Sequence, residues 1–213
     1  MKTGKNIFPL IPLRDIFVFP NTNTTFKVGR DISKKAIDAV MDSENRELVV
    51  VLQKERMNEI PDPENIYRAG TICSIIQIVE SSEDIYHVFL EGKKRVRIKN
   101  AEWHKNGYIE AETGHFKTTN KKSIEIPKLR KILDSSLNDY FYGKQVPADI
   151  LQNILSIKDD EKFLDLVTAG FFEMQSEEAQ KILETADLEE RFRKMVSFIK
   201  LQMELKDLED TIE

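Results

Sequence analysis

The hydrophobic period of this chain changes near residue 120. Up to that point apolar residues alternate with polar ones or form short β-branched runs, as in strands; beyond it they recur every three or four residues, as in helices. The polar stretch TTNKKSIE, residues 118–125, separates the two patterns. The expected organisation is an α+β chain. A β-domain spans residues 1–117, a linker 118–125, and a helical bundle 126–213. With 213 residues, 40% of them hydrophobic, there is enough apolar material for a real core.

Within the first half, residues 9–30 read PLIPLRDIFVFPNTNTTFKVGR. Proline cannot donate to a strand ladder, so Pro9, Pro12 and Pro20 mark edges, strand starts or bulges rather than a central strand. Asn21 to Thr25 reads as the loop between two extended segments. Residues 47–53, ELVVVLQ, suit a buried strand. Residues 71–79 and 86–90 flank a polar connection and read as a hairpin, and Asn106-Gly107 signals another between Trp103 and Tyr108. Arg95, Arg97 and Lys99 alternate with Val96 and Ile98, which gives a strand one charged face and one apolar face. A single helix is expected near residue 31, with Asp31 as its cap and Ile32, Ala36, Ile37 and Val40 on one side. The sum is a small, mostly antiparallel barrel or curled sheet.

In the second half, Leu129, Ile132, Leu133, Leu137 and Tyr140 form a stripe ended by Gly143. Pro147 opens a helix with Ile150, Leu151, Ile154 and Leu155. Asp159 or Asp160 caps another with Phe163, Leu164, Val167 and Phe171, and a short helix starts at Ser176. Asp187 and Glu190 form the Asp-x-x-Glu variant of a capping box for a last, long helix. That helix carries two apolar stripes. Leu188, Phe192, Met195 and Ile199 form the first; Phe198, Leu201, Leu205, Leu208 and Ile212 form the second, in 3-4 spacing. The apolar face therefore rotates near residue 200. Either both faces stay within the bundle, or the second pairs with another helix as in a coiled-coil seam. From residue 188 to 213 the helix would measure roughly 39 Å. No Gly or Pro ends it, so it is expected to continue beyond the last residue in a longer protein.

Catalytic and cofactor signatures are missing. There is no G-x-x-x-x-G-K-[ST] loop for ATP, no G-x-S-x-G elbow and no H-E-x-x-H pair. His87, His104 and His115 match no zinc spacing, so neither a metal nor a bound cofactor is expected. The single cysteine, Cys73, sits in an apolar run and reads as a small core hydrophobe. It permits no intrachain disulfide, which fits a reducing cytoplasm. The net charge of -5 suits nucleic acid poorly, and the one basic cluster, residues 93–99, lacks interleaved aromatics. No apolar run approaches the ~18 residues of a membrane span. A soluble, cytoplasmic chain is expected. The residues 54–65, KERMNEIPDPEN, form a long connection in which Met57 and Ile60 stand among charges and prolines. These two side chains either tuck back onto the sheet or grip apolar segments of unfolded chains. Phe17 and Phe19 pose the same choice between strand core and client contact.

Four segments together resemble the N-terminal, substrate-recognition domain of ATP-dependent Lon proteases. The Pro-Leu-x-Pro-Leu-Arg segment with its Phe-Pro turn and Val28-Gly29-Arg30 end is similar to that family's opening. Tyr67-Arg68-Ala69-Gly70-Thr71-Ile72 and YHVFLEGKKRVRI (residues 86–98) look like its Gly-Thr and Val-x-Leu-x-Gly-x-x-Arg strands. Residues 176–213 resemble its short helix, Leu-Glu-x-x-Asp turn and long helix. Asn21 stands where the family commonly has glycine, and Thr24-Thr25-Phe26-Lys27 where it has a Pro-Leu pair. The resemblance implies a PUA-like β-domain followed by a helical bundle. It also implies a non-catalytic role in binding unfolded or damaged polypeptides and in oligomer assembly, with a hexamer in the full-length protein. ATP, Mg and a Ser-Lys dyad would belong to domains not seen here. A free-standing adaptor with this domain and a PUA-like RNA-binding module are the alternative readings.

Overall fold

A computed structural model describes residues 6–81, 84–142, 147–170 and 174–212, leaving aside the side chains of Ala148 and residues 209–212. Gly143, Phe171 and the Ile212 side chain thus lie outside the described residues. The strands are β1 Ile7–Leu13, β2 Asn23–Val28, β3 Glu47–Leu52, β4 Ala69–Glu80, β5 Tyr86–Trp103 and β6 Ile109–His115. The helices are α1 Asp31–Met41, α2 Ile126–Phe141, α3 Ala148–Leu155, α4 Asp160–Gly170, α5 Ser176–Glu184 and α6 Leu188–Ile212. Two compact units result, Met1–Phe116 with Ala169–Glu184, and Lys117–Thr168 with Thr185–Glu213.

The first unit is a six-stranded sheet in the order β2-β5-β4-β3-β1-β6, closed by a further pairing of β5 with β6. Every pair is antiparallel except β1 with β3. Apolar side chains are buried on both sides of β3, which is why its sequence is a continuous apolar run. Leu48, Val50 and Leu52 pack with Ile11, Ala36, Ile37 and Val40. Val49 and Val51 pack with Leu10, Ile72, Val96, Ile98 and Ile109. The buried face of α1 is the one its period predicts. Helix α5 belongs to this unit, and Gln180 donates to the Ala69 carbonyl at 3.0 Å.

Several expectations need correcting. Strand β1 is internal, and both of its prolines lie inside it. Pro9 faces Glu110 of β6 and Pro12 faces Val51 of β3, but the two ladders overlap only at Leu10. Each proline therefore has one paired flank, and its missing N–H breaks no ladder. Beyond the end of the β6 ladder, the Pro12 carbonyl accepts instead from Arg30. Thr24 and Thr25 are strand residues of β2, so the turn before it is shorter than the polar composition implied. Asp31 is the first residue of α1; Arg30 is its N-cap and supplies no side-chain cap bond. Phe17 and Phe19 precede the turn in a segment outside the sheet. Asn21 has φ 61°, a left-handed conformation that glycine or asparagine adopts most readily. That conformation explains how asparagine serves at a position where glycine was the expected residue.

In the second unit α2 packs along α6. Leu133 and Leu137 from α2, and Phe192, Met195 and Ile199 from α6, are fully buried. Ile132, expected on the α2 stripe, is exposed, whereas Phe141 is buried instead. Asp159 caps α4 by accepting from the Lys162 amide at 2.8 Å. Asp187 does the same for Glu190 at 3.0 Å, but the Glu190 side chain turns outward to Lys194, so only half of the capping box forms. The first stripe of α6 is buried. In the second, Phe198 is half-buried, and Leu201, Leu205 and Leu208 are exposed.

Candidate functional site

The long connection between β3 and β4 is a built loop. Its neck is closed by a bridge between Gln53 and Ile66 and by the Lys54 amide donating to the Asn65 carbonyl at 3.0 Å. Gln53 is buried to within 1% of its surface, and its amide organises the interior. The nitrogen donates to the carbonyls of Glu55 (2.6 Å) and Asn58 (2.9 Å), while the oxygen accepts from Arg30 at 2.7 Å. Arg14 donates to the Asn58 carbonyl and pairs with Glu59 at 2.8 Å. Arg56 pairs with Asp15 and, at 3.8 Å, with Glu177. Pro61 and Pro63 are buried. These contacts hold the loop in one shape and leave two apolar side chains outside: Met57 is 92% exposed and Ile60 64%. They do not tuck back onto the sheet. An apolar side chain on a loop already ordered can gain contact area without the cost of ordering the loop.

Beside the loop lies a groove of about 420 Å³ where the ends of β1 and β2 meet the start of α1. Its apolar lining includes Ile11, Leu13, Phe26 and Val28, all buried. Its polar lining comes from the Arg14-Asp15 pair, from Arg30 and Ser33, and from Glu59. Burial, reinforced by the like charge of Arg14 and opposed by Glu59, brings the Arg30 guanidinium down to about 10. It stays charged at neutral pH but is short of compensating negative charge.

The other sequence candidates separate from this surface. Phe19 is fully buried and Phe17 half-buried, their rings edge to face at 5.7 Å, so Phe19 has no surface to offer a client. The guanidiniums of Arg95 and Arg97 lie 5.4 and 5.5 Å from the Phe116 ring centre, and Lys99 approaches Glu112. Cys73 is buried, and burial pushes its thiol well up, away from nucleophilic use. Among the described residues, no group of His, Cys, Asp or Glu side chains is placed to hold a metal, and no helix is long and apolar enough to cross a membrane. The residues missed by sequence reading are Gln53 and Arg30. The available signal for Gln53 was a polar amide closing an otherwise apolar strand.

A family model described as the ATP-dependent protease La (LON) substrate-binding domain matches residues 7–200. The chain is 32% identical over 211 residues to the Lon protease of Clostridioides difficile (strain 630), covering 96% of this chain and 26% of that protein. It is 30% identical over 217 residues to the Lon protease of Aquifex aeolicus (strain VF5), covering 100% of this chain and 27% of that one. It thus spans about a quarter of the length of the curated relatives it matches. Its fold is similar to the N-terminal domain of a Mycobacterium avium complex Lon protease, with a TM-score of 0.77 at 18% identity over 92% of this chain and 98% of the other. A Lon N-terminal domain protein from Xanthomonas campestris gives 0.60 at 15% identity, over 90% and 98%.

Proposed function

The chain belongs to the Lon substrate-binding domain family, and from that premise we propose that it is the non-catalytic, client-binding part of a Lon-type ATP-dependent protease. Its clients are unfolded or damaged polypeptides. The observation that carries this reading is the pair Met57 and Ile60, exposed on a loop whose backbone is pinned by Gln53, Arg14 and Arg56. An unfolded chain differs from a folded one chiefly in exposing apolar side chains, and these two residues can cover them. Met adapts its shape to different partners, which suits a binder of many sequences.

Burying one such side chain is worth about 1.5–3 kcal/mol. Met57→Ser combined with Ile60→Ser is therefore expected to weaken binding of a labelled, permanently unfolded protein by about tenfold or more in fluorescence anisotropy. The thermal midpoint should stay unchanged, because neither side chain packs in the interior. Undiminished affinity in a folded double variant would overturn the loop as the contact.

The second half of α6 supports a role in assembly. Leu201, Leu205 and Leu208 form an exposed stripe with coiled-coil spacing on a helix whose first half is buried. Replacing all three with glutamine is expected to shift sedimentation towards the monomer at high concentration and to leave the far-ultraviolet CD spectrum intact. A wild type that is already monomeric under those conditions, or a variant of unchanged mass, refutes this part of the proposal.

A further inference from the structure

The groove beside the client loop carries more donors than its own residues satisfy. Ser33 lines it, is 98% buried by its 2% exposure, and its hydroxyl has no hydrogen-bond partner. Arg14 also lines it, and its buried Nε has none either. A serine in the first turn of a helix ordinarily bonds a nearby backbone group, so an unused buried hydroxyl there is costly. Helix α1, of eleven residues, begins at the groove without a side-chain cap. The Ser33 and Lys34 amides both donate to the Arg30 carbonyl, while those of Asp31 and Ile32 precede any intrahelical acceptor. The positive end of the helix dipole adds to the fields of Arg14, Lys27 and Arg30. Hydroxyl, guanidinium and helix amides are all donors to the same kind of ligand, a small anion.

The groove also contains features that select among anions. Asp15 and Glu59 line it, the first paired with Arg56 and the second with Arg14, which disfavours a dianion such as phosphate. Ile11, Leu13, Phe26 and Val28 supply an apolar wall that a hydrated inorganic ion does not use. A group with one negative charge attached to an aliphatic side chain matches both properties. We propose that this groove takes the C-terminal carboxylate of a client polypeptide, together with the apolar side chain of its last residue. The proposal rests on the client-binding reading above and adds to it a preference for chain ends. Arg14 serves both surfaces, holding the loop through Asn58 and Glu59 with Nη2 and lining the groove.

The test compares one fluorescein-labelled, unstructured decapeptide ending in leucine as its free acid and as its C-terminal amide, using fluorescence anisotropy with the full chain. A charge-assisted site predicts that the acid binds about tenfold tighter than the amide. The ratio should fall to about one in Ser33→Ala and in Arg14→Gln, two variants that alter the groove in different ways. Equal affinity of acid and amide for the wild type overturns the carboxylate site while leaving the client reading standing. If neither peptide binds, the client reading fails, and titration with acetate followed by NMR amide shifts decides about the groove. Shifts confined to residues 31–34 would then keep an anion site and refute the chain end as its occupant; their absence refutes the site altogether.

Discussion

Arg191→Ala is expected to destabilise the second unit by about 3–5 kcal/mol, because it removes the fully buried cation of an ion cluster and leaves buried Asp165 uncompensated. Arg191 has no exposed surface. Its guanidinium stands 3.5 Å from Glu161 and 3.7 Å from Asp165, and donates to the Thr118 hydroxyl at 3.4 Å. Thr118 donates in turn to Glu161 at 2.9 Å, and Lys121 pairs with the same carboxylate. One side chain thus ties the segment after β6, helix α4 and helix α6 together. Urea unfolding followed by far-ultraviolet CD should show the midpoint falling steeply. A loss below about 1 kcal/mol would mean that solvent relaxes into the site and that the cluster is not a structural pin. The combined variant Arg191→Met with Asp165→Leu should recover part of the loss, since apolar replacement of a whole buried pair is often neutral.

The same cluster sets a pH dependence. Burial pushes the Glu161 carboxyl up, but the hydrogen bonds from Lys121 and Thr118 and the charge of Arg191 outweigh it and hold the group below its ordinary value. A carboxyl lowered in the folded state contributes stability above the unfolded pKa of about 4.3, and that contribution is lost as pH falls through the folded value. The wild type should therefore lose stability below that range more steeply than Arg191→Ala, in which part of the cause has been removed.

These residues also show how far the sequence could be read. The change of period at residue 120 and the rotated stripe of α6 were legible, because burial of apolar faces is a repeating, local signal. Phe192, Met195 and Ile199 are buried where the spacing placed them, and Leu201, Leu205 and Leu208 are exposed after the face turns. Arg191 was not legible in this way. It sits three residues after Leu188 and four before Met195, on the apolar stripe itself, where its charge was the one available signal. Asp165, between Leu164 and Val167, is the same kind of signal. Beside the groove, Gln53 follows a strand correctly placed from its apolar neighbours, yet its role depends on a long-range partner, Arg30. No periodicity contains that information. Prolines in β1 misled for a related reason: whether a missing N–H matters depends on which flank is paired at that residue, a property of two other strands.

Gly92→Ala is expected to cost about 3 kcal/mol, at the upper end of the range for overpacking. A Cβ at this position would lie 2.1 Å from the Phe19 carbonyl oxygen and 3.3 Å from a methyl group of Val18. The approach is locked from both sides. The Asn21 amide donates to the Gly92 carbonyl and the Gly92 amide to that of Thr22, each at 2.8 Å. Thr71 holds the Val18 carbonyl at 2.6 Å. The segment after the Arg14-Asp15 pair can make room only by breaking these bonds and moving Phe19, which is fully buried. Loss of stability should therefore come with shifts in the Phe17 and Phe19 ring resonances in NMR spectra. Gly29→Ala is the contrasting case, since nothing lies within 4 Å of its added carbon. Its thermal midpoint should change little, within the ±0.5 kcal/mol or so usual for surface substitutions. Equal losses in the two variants would show that the contact with Phe19 is not what requires glycine at position 92. A large loss at Gly92 alone assigns it to the steric fit between β5 and the Phe-Pro turn.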